Sequence, residues 1–144
     1  MSEGQLFCGE FFSVFVPTGW LSFFGIDSDG KESPKKLHIY KGARTELDIF
    51  SRAGITVCYY GEDEIFISPK AFYDDVFDID PFETEGCLWK GYTCQSFGYP
   101  YTMLEAHWET GAFQVMILMK NGEHSISLED SDVRMIIESL KTIN

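Results

Sequence analysis

Alternation of apolar and polar side chains predicts β-strands along much of the chain. Residues 37–41 and 55–60 both alternate, so that every second side chain points to the same face. Residues 11–16 and 20–24 are two further apolar runs, and residues 17–19 (Pro-Thr-Gly) between them are typical of a tight turn. We therefore expect an N-terminal hairpin and two more strands in the first sixty residues.

Three apolar segments in the second half of the chain predict consecutive strands. They cover residues 88–97, 101–109 and 112–120 and are joined by short turn sequences. Such short connections make neighbouring strands antiparallel. In the third segment Met116 and Leu118 make the second face apolar as well, which predicts a central strand covered on both sides.

Two segments show the apolar spacing of a helix. Ser68 and Pro69 form a start signal, and Phe72, Val76 and Phe77 follow at helical spacing. The stronger helix is C-terminal, over residues 128–141. It is preceded by a Ser-Leu-Glu-Asp sequence that resembles a capping box, and its apolar stripe consists of Val133, Ile136, Ile137 and Leu140. Residues 44–53 fit either a short helix or a loop.

These elements predict an α+β fold in a single domain over residues 1–144. The domain would contain an antiparallel sheet of about six strands, with an N-terminal hairpin and helices packed on it. A chain of 144 residues fits one domain. Its apolar fraction of 44% allows a core that needs no disulfide or metal.

The charge balance limits the classes of partner. The chain has 23 acidic and 11 basic residues, which gives a formal net charge of −12. Nucleic-acid backbones and anionic membranes repel such a surface, so we expect neither as a partner. A basic protein or peptide fits the charge, and the alternative is that the acids only keep an aromatic-rich domain soluble.

The four cysteines indicate a reducing compartment. Cys8, Cys58, Cys87 and Cys94 contain no Cys-x-x-Cys spacing and have no histidine close in sequence, so neither a zinc site nor a disulfide scaffold is predicted. The N-terminus has no signal-peptide pattern, and no window approaches 18 uncharged apolar residues. We therefore expect a cytoplasmic protein.

Three parts of the chain resemble the PsbP-like superfamily. The first is residues 15–20 (Phe-Val-Pro-Thr-Gly-Trp), and the second is residues 37–40 (Leu-His-Ile-Tyr) leading to 55–57 (Ile-Thr-Val). The third is residues 125–130 (Ser-Ile-Ser-Leu-Glu-Asp) with 136–140 (Ile-Ile-Glu-Ser-Leu). The superfamily includes an extrinsic protein of photosystem II and an import factor that binds the GTPase Ran. The resemblance implies an antiparallel sheet with helices on both faces and a protein that binds rather than catalyses; it transfers no functional residue.

One histidine lies among carboxylates. Glu105, His107 and Glu109 are spaced by two in a predicted strand, so their side chains share a face. Such a set suits a proton shuttle or a metal ligand, but it is equally typical of a solvated sheet face. A second polar segment, Asp27-Ser28-Asp29-Gly30, is similar to the start of a calcium loop, although a plain polar turn is favoured because Lys31 follows and the remaining ligands are missing.

Acidic and aromatic residues are the candidates for a partner-binding surface. The densest charge comprises Asp74, Asp75, Asp78 and Asp80, which would either dock a basic partner or form the wet face of the second helix. The candidate aromatics are Tyr40, Tyr60, Trp89 and Tyr92. They form an exposed patch if no helix covers them and belong to the core if helices do.

No nucleophile motif and no phosphate-binding glycine loop is present in the sequence. We therefore predict a non-catalytic binding or adaptor module for a protein or peptide, monomeric or homodimeric, without metal or cofactor. Two alternatives stay open. One is a small hydrolase or metal-dependent enzyme that uses the His107 cluster, and the other is a structural subunit of a homo-oligomer.

Overall fold

The computed structural model describes residues 3–85 and 87–143 and consists mostly of strands. Of the described residues, 57% lie in strands and 13% lie in the α-helix and the 3₁₀ turns together. The strands are β1 (Gly4–Cys8), β2 (Phe12–Pro17), β3 (Trp20–Ile26), β4 (Glu32–Lys41), β5 (Gly54–Tyr60), β6 (Asp74–Thr84), β7 (Cys87–Ser96), β8 (Tyr99–Trp108), β9 (Gly111–Leu118), β10 (Lys120–Asn121), β11 (His124–Ser125) and β12 (Lys141–Thr142). The one α-helix is α1 (Ser131–Ser139), and the two 3₁₀ turns are Glu46–Phe50 and Pro69–Phe72.

A large antiparallel sheet of seven strands forms one layer. Its strand order is β3-β4-β5-β9-β8-β7-β6, so β3 and β6 are its two edges. A small sheet of order β1-β2-β12 and α1 form the second layer, and β10 pairs with β11 in a short hairpin. Residues 61–73 connect β5, in the middle of the large sheet, to β6 at its edge.

The main core lies between these two layers. From the large sheet, one set of alternating residues is almost fully buried: Leu37, Ile39, Ile55, Val57, Leu104, Phe113, Val115 and Ile117. From the second layer, β2 contributes Phe12 and Val14, and α1 contributes its predicted stripe. Burial of each such side chain stabilises the fold by roughly 1.5–3 kcal/mol, which explains why α1 is held on this face.

The predicted strands and the C-terminal stripe are confirmed. The three consecutive strands of the second half correspond to β7, β8 and β9, which pair in antiparallel order. All four stripe residues are buried, but the helix spans only Ser131–Ser139 instead of residues 128–141, since Leu140 is its C-cap and Lys141 begins β12. The reason for the later start is local, because the Asp130 carboxylate accepts a hydrogen bond from the Ser127 amide at 2.9 Å and closes a turn before the helix.

The predicted α+β class is wrong, because the described residues form mostly strands, in three sheets, with one α-helix. The helix expected after Ser68 is a 3₁₀ turn of four residues, and the segment beyond it is strand β6. Irregularities in the β6–β7 register fall between Asp74 and Phe77 and between Ile79 and Phe82. These irregularities break the period of two, and of the predicted helical stripe only Val76 is half-buried, whereas Phe72 and Phe77 are exposed. The helices on both faces that the PsbP-like resemblance implies are likewise not found among the described residues.

The expected pairing of the first two apolar runs is also wrong. Strands β2 and β3 lie in different sheets, and the N-terminal hairpin is formed by β1 and β2. The Pro-Thr-Gly turn carries the chain from one layer to the other, with Gly19 at a φ of 93°. Residues 44–53, which fitted a helix or a loop, contain the 3₁₀ turn Glu46–Phe50. Within the described residues, no helix combines the length and the hydropathy needed to cross a membrane.

Candidate functional site: the tyrosine face

The face of the large sheet opposite α1 has a different character from the core face. Cross-strand pairing aligns His38, Thr56, Met116, Met103 and Tyr92 in one row across five strands. These residues alternate with the core residues, so their side chains point away from α1. A second small cluster of buried residues, distinct from the main core, lies on this side and consists of Tyr92, Cys94 and Met103.

Tyrosines are concentrated on this face. Tyr40, Tyr60, Tyr92, Tyr99 and Tyr101 occupy its alternating positions, and Tyr73, in the connection to β6, lies with its ring centroid 6.4 Å from that of Tyr92. Six of the chain's seven tyrosines are therefore gathered here, and we call this surface the tyrosine face. The seventh, Tyr59, packs in the main core against Phe12 and Phe113.

Burial differs among the tyrosines that the sequence suggested. Tyr40 is 8% exposed and Tyr92 is 3% exposed, although α1 and the small sheet lie on the other side of the sheet. Tyr60 is half-buried, and its ring contacts Phe66 at a centroid distance of 4.9 Å. Partial cover therefore comes from neighbouring side chains and from residues 61–73, which cross one end of the face.

Trp89, the fourth suggested aromatic, lies on the core face. It is fully buried, its ring stacks on Phe113 at 6.3 Å between centroids, and its Nε1–H donates to the Thr84 hydroxyl at 2.9 Å. It is therefore separated from the three tyrosines by the thickness of the sheet and is not part of the same surface.

The acidic residues lie on the edge strand β6 beside the tyrosine face. Asp74, Asp75, Asp78 and Asp80 are all exposed. Asp78 forms an ion pair with Lys70, whose ammonium also lies 5.5 Å from the centre of the Tyr92 ring. Among the described residues, the carboxylates of Asp74, Asp75 and Asp80 have no cationic group within ion-pair distance.

One histidine of the tyrosine face, His38 on β4, is kept uncharged by its surroundings. His38 lies between the rings of Phe23 and Tyr40, at centroid distances of 5.2 and 6.0 Å, and its Nδ1 is 2.8 Å from the Thr56 hydroxyl. Burial, together with the nearby Lys36 ammonium, lowers the pKa of His38 to about 4. The ring is therefore uncharged at neutral pH.

A polar cluster lies where residues 61–73 cross the face. The Ser68 hydroxyl donates to the Glu105 carboxylate, and His107 Nε2 is 3.7 Å from the other oxygen of Glu105. The hydroxyl of Tyr92 is buried beside the Ser68 hydroxyl, and within the described part of the chain no group meets it with full hydrogen-bond geometry. A cleft of about 350 Å³ is lined by Lys70, Asp78, Lys90, Tyr92 and Glu105 with neighbouring apolar residues.

The structure brings together two members of the suggested histidine cluster. Glu105 and His107 are adjacent on β8, whereas Glu109 lies in the turn after that strand. His38 is on the same face, but its strand β4 lies three strands from β8, which is a lateral separation of roughly 14 Å for a strand spacing near 4.8 Å. Within residues 3–85 and 87–143, no group of three or more potential metal-binding side chains is close enough to hold one ion.

Three of the thiols are shielded by burial and are not activated nucleophiles. Burial raises the pKa of Cys58, Cys87 and Cys94, so these thiols stay protonated at neutral pH. The segment similar to a calcium loop is a turn between β3 and β4, in which Asp27 Oδ1 accepts the backbone amides of Asp29 and Lys31 at 2.9 and 3.0 Å. This carboxylate oxygen is therefore engaged by the turn itself.

Sequence reasoning missed three aromatic residues of this surface. Tyr101 follows the same alternation as Glu105 and His107, so an extension of that pattern to the start of the strand would have found it. Phe97 is 99% exposed at the tip of the β7–β8 hairpin, at a φ of 52°, and Tyr99 is 44% exposed beside it. No pattern in the sequence predicts a fully exposed aromatic ring at a position with a left-handed backbone conformation.

Comparisons with known proteins give no relative from which a role can be transferred. No family model matches the chain, and no curated protein matches its sequence. The interpretation of the tyrosine face therefore depends on its own geometry.

Proposed function

We propose that this protein is a non-catalytic binding module that takes a basic segment of a partner protein on the tyrosine face and the adjoining β6 edge. The observation that carries the proposal is the segregation of six of seven tyrosines onto one face of the sheet, where Tyr40 and Tyr92 are buried and the other four are partly exposed. Tyrosine supplies a large rigid contact area with a polar tip, and it is enriched in protein interfaces.

The charge of the surface favours a basic partner. Three exposed aspartates of β6 have no cationic neighbour in the described chain, and the whole chain carries a net charge of −12. Complementary charge speeds association and selects partners more than it adds affinity. A lysine or arginine of the partner would pair with Asp74 or Asp75 and lie against an aromatic ring.

Exposed aromatic side chains beside the face suit contact with a partner rather than solvent exposure. Phe97 is 99% exposed and Phe72 is 85% exposed. Large exposed apolar groups at the rim of a tyrosine cluster are typical of interaction sites.

The hydrolase alternative is supported less well by the same residues. Glu105 is engaged by Ser68, His107 is more than half exposed, and the buried thiols are protonated.

The four cysteines are free, which fits our proposal of a cytoplasmic location. A relationship to the PsbP-like superfamily stays a prediction.

The test is a selection of random nonapeptides displayed on phage against the immobilised protein. We expect the bound clones to be rich in lysine and arginine. Their affinity should fall about fivefold or more in the Asp74→Asn/Asp75→Asn variant, and with rising salt. The matched control is Glu129→Gln/Glu138→Gln, which removes two exposed charges from the α1 side of the molecule and should leave binding unchanged.

If both double variants lost affinity equally, only the net charge of the protein would matter and the proposed surface would be refuted. Selected clones without basic residues would also contradict the proposal. Light scattering on the free protein tests the homo-oligomer alternative. A stable dimer that is disrupted by Tyr101→Ser would assign the tyrosine face to self-association.

A further inference from the structure

A large cleft lies between one edge of the small sheet and one edge of the large sheet, away from the tyrosine face. It has a volume of about 670 Å³ and is lined by residues 3–8 on one wall, 20–22 on the other, and 16–18 between them. These walls are β1, an edge of the small sheet, and β3, an edge of the large sheet. The two edges approach each other at Phe7 and Phe24, whose ring centroids are 5.4 Å apart.

Backbone groups of β1 point into this cleft. The Thr18 amide donates to the Glu3 carbonyl at 2.9 Å, which fixes the hydrogen-bonded pairs between β1 and β2. Because bonded and non-bonded pairs alternate in an antiparallel ladder, the amides and carbonyls of Gly4, Leu6 and Cys8 face the free side.

Backbone groups of β3 face the cleft from the opposite wall. The Gly42 amide donates to the Gly19 carbonyl at 2.8 Å, so Leu21 and Phe23 are the residues bonded to β4. The amides and carbonyls of Trp20 and Ser22 therefore point away from β4. Both walls thus present donors and acceptors at the spacing of a strand.

Where they line the cleft, these two edges lack the features that protect sheet edges from pairing. Strands β1 and β3 contain no proline and no charged residue, and the register irregularity of β3, between Phe24 and Ile26, lies beyond the lining residues 20–22. The opposite edge of the large sheet, β6, contains Pro81, five acidic residues and two bulges. Proline, charge and bulges are the usual means of blocking an edge, so the blocked edge is β6 and the edges at the cleft are left available.

We infer that the cleft accepts an extended segment of a partner protein, which pairs with β1, β3 or both and closes this side of the two-layer structure. Addition of a strand to a free edge is a recurrent mode of peptide recognition. The occupant is a different protein rather than a second copy of this chain. Two copies would each bring a charge of −12, and among the described residues that line the cleft only Glu3 is charged, so no basic group there offsets that repulsion.

The test uses random heptapeptides displayed on phage, selected against the wild-type protein. Ser22→Pro removes an amide that faces the cleft without removing a bond to β4, and Leu6→Pro does the same on the other wall. We expect enriched peptides to bind about tenfold more weakly to either proline variant and equally well to Ser22→Ala. Amide chemical shifts of Gly4, Leu6 and Ser22 should change when a synthetic copy of such a peptide is added.

The inference is overturned if no enriched peptide responds to either proline variant, or if the shifts map elsewhere. It is also overturned if light scattering shows a dimer of the protein that Ser22→Pro dissociates, since the occupant is then a second copy. Should a proline variant fail to fold, N-methylation of the peptide amides tests the same bonds against the wild-type protein. Tyr101→Ser lies on the tyrosine face and should not affect these peptides, so failure here is distinguishable from failure of the proposed function.

Discussion

The ring of Tyr40 lies directly on the backbone of Gly54, its cross-strand neighbour on β5. A Cβ atom at Gly54 would come within 2.2 Å of Cγ of Tyr40. The absence of a side chain at Gly54 therefore lets the tyrosine lie flat on the sheet and become 92% buried. This packing of an aromatic ring over a glycine fixes the position of one end of the tyrosine face.

Gly54→Ala should destabilise the protein by about 2–3 kcal/mol, because the new methyl group displaces the Tyr40 ring from its place on the sheet. Urea unfolding measures the change. In a Tyr40→Ala background the same substitution should cost much less, since the clash is gone. Gly61→Ala is the matched control: its Cβ would have no neighbour closer than 3.5 Å, so little change is expected. Equal costs of Gly54→Ala in both backgrounds would refute the contact.

His38 should make stability fall as the pH drops from 7 to 4.5. Its pKa is about 4 in the folded protein against 6.5 for the unfolded chain, so the unfolded state takes up the proton first. The contribution of the neutral His38 ring to the free energy of unfolding is fully present above pH 6.5 and is lost as the pH falls toward 4. His38→Gln does not titrate, and the wild type should lose about 1–2 kcal/mol more than this variant, after allowance for solvent screening. Parallel stability–pH curves for the two proteins would contradict the assignment.

Phe97 occupies a backbone conformation that disfavours it. Both Phe97 and Gly98 have positive φ, at 52° and 82°, in the tight turn between β7 and β8. Asn is tolerated there far better, so Phe97→Asn should stabilise the protein by about 1 kcal/mol in urea unfolding. Phe97→Ala keeps the Cβ and should change stability little. A loss of stability in the Asn variant would mean that the ring makes contacts that stabilise the fold.

Ser139 joins α1 to β2. Its hydroxyl accepts a hydrogen bond from the Phe15 amide at 2.7 Å and donates to the Ile136 carbonyl at 2.7 Å. Ser139→Ala leaves the Phe15 amide without this partner and should cost about 1–2 kcal/mol in thermal or urea unfolding. Glu138→Ala, at the neighbouring exposed position, serves as the control and should be close to neutral. If the two variants were equally stable, the hydrogen bond would contribute nothing.

Local patterns predicted the parts of the fold that depend on neighbours in sequence. Alternation located β4, β5 and β7 to β9, and the helical stripe located α1, because burial of one face imposes these periods directly. The membership of β2 and β3 in different sheets depends on contacts far apart in sequence. A turn of the same composition serves a hairpin or a corner between layers, and residues 17–19 alone do not distinguish the two.

Strand β6 shows why its predicted helix was wrong. Val76 packs against the Tyr92 cluster, whereas Ile79 and Phe82 pack against the main core on the opposite face of the sheet. Register irregularities interrupt the regular alternation of this strand, so its apolar residues do not show a clean period of two. Pro81 was the available signal, since proline is excluded from a helix interior but tolerated on an edge strand. For the candidate site, Tyr40, Tyr60 and Tyr92 were found from the sequence, whereas the placement of Trp89 on the other face required the register of β7.

The most direct test of the account follows the seven tyrosine rings by NMR while a basic peptide from the phage selection is added to ring-labelled protein. We expect the resonances of Tyr92, Tyr99 and Tyr101 to shift with a common dissociation constant. Tyr59, in the core on the other side of the sheet, should stay unchanged. Shifts confined to Tyr59, or a peptide that binds without moving any ring of the tyrosine face, would contradict the claim that this face is the interaction surface.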